Sequence, residues 1–255
     1  MKHLISIRDL TKDSAVDLLD SAQRLSQVNQ RTIKSLPALR GKTVVNLFYE
    51  NSTRTRISFE IAAKRLSADV INFDAQSSSA SKGESLRDTA QTLEALGAAA
   101  IIIRHPMSGA AHALANKGWV SASIINAGDG RHEHPTQALL DALTIRQLKM
   151  PGNDLAGIRV LIVGDIEHSR VARSNILLLS ALGATVSVAG PSSLLPEGIE
   201  AMGAKVYKGF DEALDEKPDV VMMLRVQLER MQLDEAFSTR QYIANWSLDL
   251  SLIPI

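Results

Sequence analysis

The chain has 255 residues, 45% of them hydrophobic and 22% charged, enough apolar side chains to fill one large core or two ordinary ones without disulfides or metals. Its 28 basic and 28 acidic residues cancel, so no overall field draws it to nucleic acid or to a membrane, and any anionic ligand must be held by local positive clusters. Cysteine is absent, which excludes disulfides, thiolate catalysis and the usual zinc fingers.

The opening MKHLISIRDLTKD lacks the apolar core of a signal peptide. The longest apolar stretch, 95–103, is too short to span a bilayer, so a cytoplasmic protein is expected. A leading helix is predicted over 14–25, with Val16, Leu19, Ala22 and Leu25 on one stripe. Short runs rich in β-branched residues then alternate with longer segments of helical period. The first series gives strand 43–49, helix 53–66, strand 69–73, helix 84–96, strands 99–104 and 123–126, and helix 135–148. Met150-Pro151-Gly152-Asn153-Asp154 breaks the pattern as a linker. A second series follows: strand 159–163, helix 170–182, and strands 185–189, 205–207 and 219–224. This alternation predicts an α/β fold of two domains, 1–150 and 151–255, each a parallel sheet flanked by helices on both faces. Ligands of such sheets sit beyond the carboxyl ends of the strands. The loops after Tyr49, Phe73, Arg104, Asn126, Val163 and Leu224 are therefore where chemistry is expected.

After the first strand comes Glu50-Asn51-Ser52-Thr53-Arg54-Thr55-Arg56, opening a helix. Ser52 and Thr53 suit an N-cap, and the first-turn N–H groups and helix dipole favour an anion there. Arg54 and Arg56 add guanidinium forks that match phosphate oxygens. On physics alone this is a phosphate cradle; the blander reading is a capped helix with two solvated arginines. No GxxxxGK[ST] and no GxGxxG occurs, which argues against ATP and dinucleotides. His132-Glu133-His134 invites a metal reading, but two histidines alone do not make a zinc site.

With its flanks, Phe48-Tyr49-Glu50-Asn51-Ser52-Thr53-Arg54-Thr55-Arg56-x-Ser58-Phe59-Glu60 closely resembles the carbamoyl-phosphate signature of the carbamoyltransferases. Further motifs fall in the order of that family: the loop Ser77-Ser78-Ser79-Ala80-Ser81-Lys82-Gly83-Glu84-Ser85, then Arg104-His105-Pro106, then Asn126-Ala127-Gly128-Asp129-Gly130 leading into His134-Pro135-Thr136-Gln137. In the second half, Gly164-Asp165-Ile166-Glu167-His168-Ser169-Arg170 follows one strand. Leu224-Arg225-Val226-Gln227-Leu228-Glu229-Arg230 follows another and resembles the R-V-Q-x-E-R element of the aspartate carbamoyltransferases. A dicarboxylate needs two fixed cationic partners, and Arg170 and Arg225 both stand at strand ends of the same half.

The resemblance, which runs to about Arg230, implies transfer of the carbamoyl group of carbamoyl phosphate to L-aspartate in pyrimidine biosynthesis. It implies no cofactor and no metal, because the donor is already activated. It assigns Ser52, Thr53, Arg54 and Thr55 to the phosphate, with Ser78 and Lys82 supplied by a neighbouring subunit. Arg104, His134 and Thr55 would face the carbonyl oxygen and Gln137 the carbamoyl amide. Arg170, Arg225, Gln227 and Lys82 would hold aspartate. The catalytic set is thus Arg54, Thr55, Lys82, Arg104 and His134, expected to converge on one crevice. A homotrimer with shared sites is implied, and association with regulatory or other pyrimidine-pathway subunits is a further partner class. Family members continue into an H-P-x-P loop and a closing helix, which are not found before Ile255; the second domain is expected to be incomplete.

Two alternatives stay open. Ornithine carbamoyltransferases share the phosphate half but usually carry a cysteine after the H-P pair and a D-x-x-x-S-M-G element. Here Thr136 follows Pro135 and R-V-Q-x-E-R stands instead. The other alternative is a catalytically silent subunit that binds ligand or acts as a scaffold.

Overall fold

The computed structural model describes residues 1–74, 83–149, 154–228 and 239–248. It divides into two compact units, Met1–Leu143 and Thr144–Ile255. Ser78 and Lys82 lie outside the described residues, as do the linker 150–153 and the last seven positions.

The first unit begins with α1 (Lys12–Ser26), whose N-cap Thr11 accepts from Ser14 N. It continues β1 (Thr43–Phe48), α2 (Thr53–Arg65), β2 (Asp69–Asp74), α3 (Leu86–Ala95), β3 (Ala98–His105), α4 (Ala110–Asn116), β4 (Ser123–Asp129) and α5 (Pro135–Lys149), within which the boundary between units falls. The four strands form one sheet in the order β2-β1-β3-β4, every pairing parallel. Alternation along the strands sorts their side chains to two faces. Val45, Leu47, Ile101, Ile103 and Ile124 pack with Leu93 of α3 and Leu114 of α4. Val44, Phe48, Ile102 and Ala127 pack with Ala63 and Phe59 of α2. Leu47, Ile101 and Ile124 are fully buried, each contributing about 1.5–3 kcal/mol by leaving water.

Segment 3–7 lies along β4 as a short extra parallel partner. Leu4 bridges Ile125, with Leu4 N donating to Ile124 O at 2.9 Å and Asn126 N to Leu4 O at 2.8 Å. The buried Asn126 amide also donates to Ile5 O at 3.0 Å.

The second unit contains β5 (Arg159–Val163), α6 (Arg170–Ala181), β6 (Thr185–Ala189), β7 (Ala204–Tyr207), α7 (Phe210–Asp215), β8 (Val220–Met223) and α8 (Thr239–Trp246). Its sheet, again all parallel, has the order β7-β6-β5-β8. Leu161, Val163, Ala189 and Tyr207 pack with Phe210 of α7 and Trp246 of α8. Val160, Ile162 and Val188 alternate with them and are equally buried, and α6 packs against β6. Among the described residues, no helix is long and apolar enough to cross a membrane.

All eight predicted strands and all five predicted helices form, with ends that match or shift by one residue at most places. The larger differences are strand 123–126, which runs on to Asp129, and two helices that start two residues from their predicted first residue. The short helices α4, α7 and α8 are not anticipated by the periodicity. The 77–85 loop cannot be compared, because most of it lies outside the described residues.

Candidate active site

Each sheet has one point where the strand order reverses, and there the loops at the carboxyl ends diverge and open a crevice. In the first unit that point lies between β1 and β3, so the loops after Phe48 and after His105 flank it. The two strand ends are tied by Tyr49 N donating to Arg104 O at 2.8 Å. Beside them, Arg54, Thr55, Ser58, Phe59 and Ala62 of α2 face His134, Thr136, Gln137 and Leu140 across an open hollow of about 500 Å³. Four of the predicted ligands, Arg54, Thr55, His134 and Gln137, therefore line one space.

Ser52 is the N-cap of α2 in extended conformation, but its side chain makes no capping hydrogen bond. Its hydroxyl does not quench the first-turn N–H groups, which keep their pull on an anion. Arg54 and Thr53 are exposed. His134 is buried, immediately before the first-turn Pro135 of α5, and its ring nitrogen Nδ1 stands 3.4 Å from Thr136 Oγ1. The Gln137 amide donates to Asp141 Oδ1 at 2.9 Å, so it is braced along its own helix.

Arg104 does not line the hollow. It sits at the end of β3, with Nε 3.2 Å from Glu50 Oε2 and Nη1 donating to Ala127 O at 3.1 Å. It thereby ties the loop after β1 to β4. Next to it His105 stacks on Tyr49, ring centroids 4.7 Å apart, and accepts from Met107 N. Burial pushes this imidazole below its ordinary range.

Among the described residues, His132, Glu133 and His134 form no group of three that could hold a metal ion, although His132 Nε2 comes within 4.0 Å of Glu133 Oε1. His132 Nδ1 lies 3.1 Å from Asp129 Oδ2, Glu133 reaches Ser6 and Ile7, and His134 lines the hollow. Asp129 is a hub, accepting from Gly109 N at 2.6 Å, Asn126 Nδ2 at 2.8 Å and Glu133 N at 3.2 Å. The turn behind it is tight: Gly130 has φ +48°, and a Cβ there would stand 2.2 Å from Ser108 Oγ. Burial would raise the Asp129 carboxyl, but hydrogen bonds from His132, Asn126 and Gly109 outweigh it and hold the group below the ordinary aspartate range. A carboxyl lowered by folding adds stability that is complete above its unfolded pKa, about 4, and is lost as pH falls through the folded value. Urea unfolding of wild type and Asp129→Asn should show a wild-type advantage at pH 6 that shrinks steadily below about pH 4. An advantage that is the same at pH 6 and pH 3 would contradict this origin.

In the second unit the order reverses between β5 and β8, and the loops there are 164–170 and 224–228. They approach too closely for a side chain at Gly164, where φ is +124° and a Cβ would lie 2.8 Å from Leu224 O and 2.7 Å from Tyr242 Oη. Asp165, wholly buried, accepts from His168 N and faces His168 Nδ1 at 2.8 Å through one oxygen. Its other oxygen accepts from Gln227 N at 3.0 Å. One carboxylate thus fastens the R-V-Q segment to the loop that leads into α6. Ser169 caps that helix by accepting from Ala172 N at 3.1 Å, and Arg170 is its buried first residue. Arg225 is exposed.

A model of the aspartate/ornithine carbamoyltransferase carbamoyl-P binding domain matches residues 2–147, more than half of the chain. The chain belongs to the aspartate/ornithine carbamoyltransferase family.

Within the carbamoyltransferases, the aspartate carbamoyltransferase catalytic subunit of Micrococcus luteus is 60% identical over 255 residues, covering 97% of this chain and 78% of that protein. The catalytic subunit of M. jannaschii aspartate transcarbamoylase superposes with a TM-score of 0.79 at 38% identity, over 96% of this chain and 79% of that one. Aspartate transcarbamoylase from Trypanosoma cruzi, solved in complex with carbamoyl phosphate, gives 0.85 at 29% identity, over 98% and 80%.

Sequence reasoning missed the acids that arrange this carbamoyltransferase's loops: Glu50, Asp129, Glu133 and Asp165. Each stands within a few residues of a predicted ligand on a strand-end loop, and that adjacency is the signal available in the sequence.

Proposed function

We propose that this chain joins carbamoyl phosphate to the amino group of L-aspartate, giving N-carbamoyl-L-aspartate and phosphate, a step of pyrimidine biosynthesis. The observation that carries the reading is the hollow in which Arg54 and Thr55 at a helix N-terminus face His134 and Gln137. The near-full-length relatives support it: their aspartate carbamoyltransferase names give the acceptor, and solved neighbours hold carbamoyl phosphate and aspartate.

The phosphate of the donor sits at the start of α2, held by Ser52, Thr53, Arg54 and Thr55 through hydroxyls, first-turn N–H groups and one guanidinium. His134 and Thr55 polarise the carbamoyl oxygen from the hollow, Arg104 adds positive charge from the neighbouring end of β3, and Gln137 orients the carbamoyl amide. The amine nitrogen of aspartate attacks the carbonyl carbon, negative charge grows on the oxygen, and the C–O bond to phosphate then breaks. Arg54 neutralises the departing phosphate, which takes up the amine proton. Arg170, Arg225 and Gln227 in the second unit receive the aspartate carboxylates, the first domain being the carbamoyl-phosphate half and the second the aspartate half. Ser78 and Lys82 enter from an adjacent copy in a homotrimer. Two cationic side chains repel ornithine, whose side chain is positive.

An assay with labelled carbamoyl phosphate, offering aspartate or ornithine, tests this. Carbamoylation of aspartate alone is expected. Carbamoyl-phosphate binding without turnover of either amine would mark a silent subunit, and product from ornithine would reverse the acceptor.

A further inference from the structure

Glu133 precedes His134 directly, and its side chain leads away from the hollow into the protein. There it accepts from Ser6 Oγ and, at 2.9 Å, from Ile7 N, across 127 and 126 positions of sequence. The carboxylate is 2% exposed. Its own backbone is fixed as well: Asp129 N donates to Glu133 O at 3.1 Å and Glu133 N to Asp129 Oδ1 at 3.2 Å, closing an antiparallel bridge. On the far side, Ser6 Oγ accepts from Arg8 N at 3.0 Å and starts a short 3-10 turn at Ile7. Segment 3–7 is in turn fastened to β4 through Leu4 and Asn126. The result is a closed circuit: β4 holds segment 3–7, that segment holds Glu133, and Glu133 carries the peptide of His134.

We propose that Glu133 is a positioning residue, whose grip on Ser6 and Ile7 sets where the His134 ring stands in the hollow. The proposal rests on the reading of His134 as the group facing the carbonyl oxygen. A buried carboxylate that accepts two strong donors has little freedom, and neither does the residue bonded to it. A ring displaced by about 1 Å loses on the order of 10²-fold in rate. The phosphate contacts at α2 do not pass through this circuit.

The test uses the full chain with Glu133→Ala, Glu133→Gln, Ser6→Ala and the pairing of Glu133→Ala with His134→Ala. Glu133→Ala is expected to lower kcat on the order of 10²-fold, with the carbamoyl-phosphate dissociation constant, measured by titration calorimetry, within about threefold. Glu133→Gln restores most of the rate, because its amide oxygen accepts from Ile7 N while its amino group donates to Ser6 Oγ. In the His134→Ala background, Glu133→Ala adds no more than about twofold, since two changes acting through one group are not additive. The same loss in both backgrounds, or no rescue by glutamine, overturns the proposal. Should Glu133→Ala fold poorly, Ser6→Ala removes a single donor and must show a smaller loss that also vanishes without His134. A wild-type chain inactive toward aspartate would defeat the functional reading and leave the circuit open to a separate measurement. The ring signals of His134 in histidine-labelled protein must move in Glu133→Ala and return in Glu133→Gln; signals that stay put overturn it.

Discussion

Replacing Arg54 with alanine should lower kcat by about 10²–10³-fold, the usual cost of deleting one preorganised group that meets charge in the transition state. The thermal midpoint should stay within about 2 °C of wild type, because exposed side chains outside the core contribute little to stability. The structure supplies the reason for that contrast. Arg54 is exposed in the first turn of α2 and looks onto the hollow shared with His134, while α2 is anchored to the sheet through the buried Ala63. Among the described residues the guanidinium supports no part of the fold, whereas in the proposed reaction the leaving phosphate gains negative charge beside it. Steady-state kinetics together with a thermal melt check both halves. Near-normal turnover would remove Arg54 from the mechanism, and a large fall in melting temperature would make the loss one of structure.

Arg225→Ala should act on the other substrate. The KM for aspartate should rise roughly 10- to 150-fold, the range expected for losing a hydrogen bond to a charged group. Carbamoyl phosphate should bind within about twofold of wild type, because the ligands proposed for it belong to the first unit. Arg225 is exposed on a segment pinned by Gln227 N to the buried Asp165 carboxylate, so the loop keeps its course when the side chain is cut back. Calorimetric titration with each ligand separates the outcomes. Equal weakening of both ligands, or an unchanged KM, would take Arg225 out of the aspartate subsite.

Much of this architecture was legible in the residues. Runs such as Thr43-Val44-Val45-Asn46-Leu47-Phe48 and Arg159-Val160-Leu161-Ile162-Val163 are apolar on both sides of the pleat, as strands covered on two faces must be. The helix α4, Ala-Ala-His-Ala-Leu-Ala-Asn, escaped notice because seven residues give too few turns for a periodic stripe to emerge. In the site, the arginines and His134 announced themselves by lying on strand-end loops. Arg104 stands at the end of β3, tied to Glu50 and Ala127. The buried acids Asp129, Glu133 and Asp165 stayed hidden, because each also has a partner brought to it only by tertiary contact: Gly109 N, Ile7 N and Gln227 N respectively. In a sequence they read like any surface carboxylate. Glu133 was further disguised by standing between two histidines, which drew the eye to themselves.

The strap formed by residues 4–7 also sets an order of events on the ribosome. Its partners Ile124, Asn126 and Glu133 are translated more than a hundred residues after it. At about 5–20 residues per second, the strap waits roughly 6–25 s for its docking groove. Segment 4–7 therefore docks only after β4 and the loop beyond it have been made, and the loop bearing His134 gains its clasp at that moment.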